Sequence, residues 1–264
     1  MRLGFDAQID LGPLAVRWQA IALATIFLLA LGCWWLWLRR GRHGLAPDDL
    51  VFVLLGTVPG ALAGGRLVHG IVFAEAYLAR PESILDLTQG SLSLFGAVLG
   101  GLVSGAYVCR LLGHSVRIWA DAAAVPLLLA IGLGKLAMLL AGAGQGMPFD
   151  GPWAVSFAGP GPWLSADPGI PSHPSQVYEG LWASAGVALV ILLGVRPWRR
   201  FRSGSGGVFL LAIGWWLAGR ALAGFTWRDD PALGGLPAEQ VLALGGCGIA
   251  LGLLLAGPPK VPGG

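Results

Sequence analysis

Charged side chains are scarce in this chain. Only 12% of its 264 residues are Asp, Glu, Lys or Arg, while 55% are hydrophobic. A water-soluble domain carries about 25% charge, so the deficit excludes an ordinary soluble domain and points to a membrane protein. Seventeen basic residues against fourteen acidic ones leave a formal charge of +3. The basic residues fall between apolar runs rather than in one patch, which excludes nucleic acid as a partner. Cysteine is equally sparse. Cys33, Cys109 and Cys247 each stand alone in apolar sequence, with no CxxC or Cys/His spacing, so neither a disulfide framework nor a metal centre is expected. A cleavable leader is also missing. Met1 to Pro13 is mixed polar and apolar, and the apolar run after it is too long for a leader and has no cleavage site. The first span is therefore expected to stay in the mature protein.

What the chain has is apolar length. A spanning helix needs roughly 20 mostly apolar residues, and seven segments qualify: 15–38, 49–74, 91–113, 118–142, 176–195, 206–226 and 236–257. Helices are the element expected, because a span must satisfy its backbone hydrogen bonds internally and these runs are too long for barrel strands. The reading is an all-α integral membrane protein, a seven-transmembrane-helix bundle forming a single membrane domain over residues 1–264. Trp34, Trp35 and Trp37 form an interfacial belt at the end of the first span.

The connections set the orientation. Arg39, Arg40, Arg42, Arg110, Arg117, Arg196, Arg199, Arg200, Arg202 and Lys260 fall on one side, while the other holds Arg2, Arg80 and Arg228. The positive-inside rule then places the N-terminus outside and the C-terminus in the cytoplasm. The long connection 143–175, free of Lys and Arg, lies outside. A connection of that length is more often functional than idle, and Trp153 and Trp163 are its expected interfacial anchors. Gly60-x-x-x-Gly64, Gly96-x-x-x-Gly100 and Gly101-x-x-x-Gly105 allow close helix approach. No internal repeat is visible, which argues against an inverted-repeat transporter.

The few polar groups inside spans are the functional candidates, because such groups are costly there. His173-Pro174-Ser175-Gln176-Val177-Tyr178-Glu179 puts five polar side chains at the mouth of the fifth span. Arg66, Lys135 and Arg220 lie in three separate spans, with Arg228 just beyond the last of them. Together they suggest a site for an anion, since arginine gives phosphate charge-assisted, often bidentate bonds. Singly, each fits an arginine or lysine snorkelling to headgroups. Glu179 is placed to pair with one of these cations. Asp121 opens the fourth span and favours its helix start. His69 and His173 both fall on the outer side, where either can accept a proton. His173, before a proline, fits a structural hydrogen bond at a helix start equally well.

Several segments, in order and at matching spacing, resemble the prolipoprotein diacylglyceryl transferases of the bacterial inner membrane. Arg17-Trp18, Gly64-Gly65-Arg66-Leu67, Tyr77-Leu78-Ala79-Arg80-Pro81, Gln89-Gly90-Ser91-Leu92-Ser93, Asp121 with Pro126, Gly132 to Gly146, His173 to Glu179, Trp216 with Arg220, and Arg228-Asp229-Asp230-Pro231 carry the likeness. It extends over nearly the whole chain. It implies a multi-pass enzyme that moves the diacylglyceryl group of phosphatidylglycerol onto the lipobox cysteine of a prolipoprotein signal peptide, releasing glycerol phosphate. The partners implied are that lipid, that peptide and the surrounding membrane lipids, with no cofactor. The residues implied for catalysis are Arg220, His173, Glu179 and His69. Those implied for holding substrate or its phosphate are Arg66, Lys135, Arg228, Gln176, Tyr178 and Gly146.

The chain departs from the family pattern at Gln19, Phe95, Lys135, Met138, Ala141, Ala143 and Trp216. Phe95 replaces a histidine and cannot take a proton, and Lys135 keeps the charge of an arginine without its fork. Two readings stay open: a divergent transferase, or a lipid- or preprotein-binding membrane protein on the same scaffold that has lost the reaction. On the first reading Arg220→Ala is expected to abolish transfer and leave folding intact.

Overall fold

A computed structural model describes residues 1–40, 46–78, 81–85, 92–194 and 204–257. Arg42, Ala79, Arg80, Gln89, Gly90, Ser91, Arg196, Arg199, Arg200, Arg202 and Lys260, which entered the reading of topology and motifs, lie outside the described residues. In chain order the elements are β1 (Arg2–Leu3), β2 (Gln8–Leu11), β3 (Leu14–Arg17), α1 (Trp18–Arg40), α2 (Asp49–Val72), α3 (Ala74–Leu78), α4 (Leu94–Leu111), α5 (Val116–Ala137), β4 (Ser156–Phe157), α6 (Ser175–Gly194), α7 (Gly207–Ala223), β5 (Pro231–Leu233), β6 (Leu236–Pro237) and α8 (Ala238–Ala256). Short 3-10 turns at Pro81–Leu85, Met138–Ala141 and Gly224–Thr226 join them.

Seven of these helices are long and apolar enough to cross a membrane, one in each candidate segment. The bounds differ in places. Residues 15–17 belong to β3 rather than to a helix, because Gly12, at φ +67°, turns the chain back on β2 and pairs Gln8 with Arg17. Arg17 thus closes a hairpin, and the first span opens at Trp18. The fourth span leaves α-helical form after Ala137, tightens through Met138–Ala141, and stops at Gly142 in the left-handed region. Asp121 does not open that span. It lies in the second turn of α5 and is buried.

The chain divides into two compact units, Met1–Trp34 with Ala122–Gly264, and Trp35–Asp121. In the second, α2 and α4 pack along a glycine seam. A Cβ added at Gly64 would clash with the Gly96 carbonyl and lie 2.8 Å from the Gly100 Cα. Reciprocally, a Cβ at Gly96 would clash with the Gly64 carbonyl and one at Gly100 with the Gly60 carbonyl. Backbone-to-backbone contact of this kind needs small residues every fourth position. Ser93 starts α4, accepting a hydrogen bond from the Gly96 amide at 3.1 Å while its own amide donates to the Gly65 carbonyl at 3.1 Å. Losing that cap in Ser93→Ala should cost about 1 kcal/mol, read as a lower melting temperature in detergent. At the other end of α2, His114 and Asp49 meet at 2.5 Å.

In the first unit, α5, α6, α7 and α8 are brought together by similar means. Gly132 of α5 faces Gly180 of α6, where a Cβ on Gly180 would lie 3.0 Å from the Gly132 carbonyl. Trp182 of α6 and Trp215 of α7 stack at 4.5 Å, and each indole donates to the other's carbonyl, at 2.8 and 2.7 Å. Gly186 and Gly219 make room for those rings. Gln240 of α8 donates to the Ala221 carbonyl at 2.8 Å and fills the space over Gly224. The outer faces are apolar, with Leu28, Leu181, Leu192, Ile249 and Leu253 exposed.

Candidate functional site

The helix contacts of the first unit converge on buried charge. Gly132 precedes Lys135 by three residues and Gly180 directly follows Glu179, so the α5–α6 close approach sets those two side chains facing. Lys135 Nζ donates to Glu179 Oε1 at 2.9 Å. The other oxygen of Glu179 accepts from Arg220 Nη1 of α7 at 2.8 Å. Arg220 Nη2 donates to Glu239 of α8. Trp227 lies under the guanidinium, with its ring 4.7 Å from Arg220 Cζ. Four helices thus each contribute one charge to a chain of alternating sign, two cations against two carboxylates. Glu179, Arg220 and Glu239 are all buried.

Isolated charges in apolar surroundings cost several kcal/mol each, and pairing with hydrogen bonds offsets the cost. The alternation explains how this unit tolerates four ionisable groups among its helices. It also changes the sense of the cation cluster expected from sequence. Lys135 and Arg220 do meet, yet through Glu179 rather than around an open anion site. The sequence reading does not include Glu239, although its signal is present: with Gln240 it is a lone polar pair at the start of the last apolar run. Asp229, just past α7, belongs to the same surroundings. Partial enclosure by protein holds its carboxyl above the ordinary carboxylate value, the Glu239 carboxylate adds to this, and Arg220 and Lys135 oppose it.

Arg228 lies apart from the tetrad. Its Nε donates to the Gly146 carbonyl at 2.5 Å, Nη1 to Asp167 at 3.0 Å and Nη2 to Ser172 Oγ at 2.8 Å. It ties the connection 143–175 to the exit of α7. Gly146 is pinned in the same knot: its amide donates to the His173 carbonyl at 2.8 Å, and a Cβ there would collide with Ser175 Oγ and the Thr226 carbonyl. The connection is built rather than loose. Gln145 donates to the Val155 and Ile170 carbonyls at 3.1 and 2.8 Å, and β4 pairs with β1 in parallel.

His173 stacks on Phe149, with ring centres 4.0 Å apart, and its Nδ1 meets the Tyr178 hydroxyl at 3.1 Å. Trp153 Nε1 donates to the same hydroxyl at 2.8 Å. When Tyr178 donates to Nδ1, the imidazole carries its proton on Nε2; when Nδ1 donates, Nε2 is the free acceptor. Gln176 is fully buried one turn before Glu179 on α6. Arg66 and His69 belong to the other unit, where Arg66 is buried in α2 and His69 Nδ1 meets the Tyr77 hydroxyl at 2.7 Å. Phe95 lies in the first turn of α4 and is half-buried. Among the described residues no group of three His, Cys, Asp or Glu is placed to hold a metal ion.

Comparison with known sequences gives this arrangement a context. Residues 7–256 match the sequence model of a family described as prolipoprotein diacylglyceryl transferase. A curated relative from Bacillus cereus, named phosphatidylglycerol–prolipoprotein diacylglyceryl transferase, is 30% identical over 253 residues, covering 93% of this chain and 91% of its own. Relatives of the same name from Bacillus thuringiensis subsp. konkukian and Bacillus anthracis match at the same identity and coverage.

Proposed function

Because this chain belongs to the prolipoprotein diacylglyceryl transferase family, we propose that it moves the diacylglyceryl group of phosphatidylglycerol to the lipobox cysteine of a prolipoprotein. In that reaction the cysteine sulfur forms a bond to the diacylglyceryl carbon while the bond from that carbon to the phosphate oxygen breaks. Glycerol phosphate leaves and the thiol proton goes to a base. The single observation that carries the reading is the Lys135–Glu179–Arg220–Glu239 chain in a chain of this family.

Arg220 is the group best suited to the departing phosphate. Both its terminal nitrogens are held, which fixes the plane of the guanidinium, and its Nε has no partner in the structure. A donor fixed in advance where negative charge grows is the arrangement that lowers a barrier most. Lys135 adds charge through Glu179, and Glu179 orients both cations. Arg66 is assigned to substrate phosphate on its motif alone. His69 and His173 are the candidate bases; a thiol is mostly protonated at neutral pH, so one is needed. Tyr178 holds the His173 ring through Nδ1, while Arg228 and Gly146 hold the connection that carries it. The charge asymmetry of the sequence puts that connection, residues 143–175, outside an inner membrane with the C-terminus in the cytoplasm.

The competing reading is a binding protein without turnover. Phe95 and Met138, apolar where the family pattern is polar, favour it. An assay separates the two. Purified protein with phosphatidylglycerol and a lipobox peptide should add one diacylglyceryl mass to the peptide cysteine, beside a curated relative as control. Lipid binding with no mass gain, while the control works, gives the second reading.

A further inference from the structure

Four described residues of the first unit carry buried polar atoms that no hydrogen-bond partner reaches: Gln176 Nε2 and Oε1, Trp216 Nε1, Arg220 Nε and Gln240 Oε1. They are not scattered. Trp216 precedes Arg220 by four residues on α7 and Gln176 precedes Glu179 by three on α6, spacings that share a helix face. Arg220 is itself a member of the charge tetrad, so Trp216 and Gln176 share a helix face with tetrad members, while Gln240, next to Glu239 in sequence, turns its amide to the Ala221 carbonyl. Most buried polar atoms in folded proteins are satisfied, and an orphan costs the full desolvation of the group. A buried amide with both ends unmet, on the helix face that carries Glu179, marks a place for a polar ligand.

Gln176 is the extreme case. It is 1% exposed, and both ends of its amide are unsatisfied. Beside it Gly144 takes a left-handed φ of +71°, and a Cβ there would lie 3.4 Å from Gln176 Cβ and 3.9 Å from Oε1. Both are ordinary contacts, and it is the left-handed backbone that calls for glycine there. The chemistry of the missing partner follows from the two ends. A phosphate only accepts, so it leaves Oε1 unmet. An ammonium only donates, so it leaves Nε2 unmet. A hydroxyl does both, and two hydroxyls on adjacent carbons can meet both ends of one amide.

We propose that Gln176 is the residue that reads the headgroup hydroxyls of the lipid, selecting a glycerol headgroup over anionic lipids without one. This rests on reading the site as a phosphatidylglycerol site, and it names the group that makes the choice. Arg220 supplies attraction for the phosphate that all such lipids share, while Gln176 supplies the difference between them. A site whose polar groups are left unpaired by the wrong ligand rejects it strongly.

The test measures binding rather than turnover. Purified protein in nanodiscs is titrated with phosphatidylglycerol and with phosphatidylmethanol, which keeps the phosphodiester and lacks the hydroxyls. Wild type should prefer phosphatidylglycerol by at least ~10-fold. Gln176→Leu should bring that preference to about twofold or less, by weakening phosphatidylglycerol alone. Its melting temperature should hold or rise, because an orphaned amide has been removed. Gln176→Met, unbranched like glutamine, provides the same comparison if leucine does not pack. A preference that survives either folded substitution overturns the assignment, as does a wild type that cannot tell the two lipids apart. Preference without transfer to peptide leaves the assignment standing and sinks the proposed reaction instead. Transfer without preference does the reverse.

Discussion

Arg220→Ala should both abolish transfer and destabilise the protein. Its side chain is held by Glu179 and Glu239, and all three groups are buried. Removing the guanidinium strands the Glu239 carboxylate and leaves Glu179 with Lys135 alone. Breaking a buried pair in this way costs about 3–5 kcal/mol, because the remaining charge is uncompensated. The sequence alone suggested that this variant would fold normally, and the geometry points the other way: Arg220 joins three helices, besides the role proposed for it at the phosphate. The two roles separate in a second background. Glu239→Gln added to Arg220→Ala removes one stranded charge, so the pair should be less destabilised than the sum of the two singles, with thermal unfolding in detergent as the measure. Strict additivity would show that the ion pair carries no coupling. Arg220→Lys keeps a charge but not the fork. It should fold, and yet transfer at least about 10²-fold more slowly, the usual loss when one fixed donor to a developing anion is removed.

The second large effect belongs to the glycine seam between α2 and α4. Alanine in place of a helical glycine normally gains roughly 0.5–1 kcal/mol. At Gly64, Gly96 and Gly100 the sign should reverse, since a Cβ at each would run into a carbonyl of the facing helix. Overpacking of that kind costs about 1–3 kcal/mol for a small addition, and Gly64→Leu should yield no folded protein. The control lies in α8, where Gly245, Gly248 and Gly252 have nothing within 4 Å of an added Cβ. Gly248→Ala should raise the melting temperature, whereas Gly64→Ala should lower it. If both rise, the seam is looser than the contact distances state.

These effects divide along a physical line. Long apolar runs determined the seven helices by themselves, because a span's backbone bonds are local and its side chains need only be apolar. Hence the candidate segments and the observed helices nearly coincide. Gly60-x-x-x-Gly64 and Gly96-x-x-x-Gly100 were equally legible, since close helix approach demands a small residue at each fourth position. The polar residues of the site were visible too, as rare charges in apolar sequence, and the order of motifs pointed to the family.

What the sequence did not contain was the pairing. Nothing in the spacing of Lys135, Glu179 and Arg220 tells that one carboxylate joins both cations, nor that Glu239, from the last helix, closes the chain. Those partners are 44, 41 and 19 residues apart. Only the packing of α5 on α6, α6 on α7 and α7 on α8 decides which charges meet. The same holds for Arg228, which sequence grouped with the other cations. Tertiary structure spends its nitrogens on Gly146, Asp167 and Ser172. It holds too for the unmet amide of Gln176, since whether a buried group has a partner depends on its neighbours in space. Local hydrogen bonding and hydrophobic length are written along the chain, while electrostatic pairing belongs to the fold.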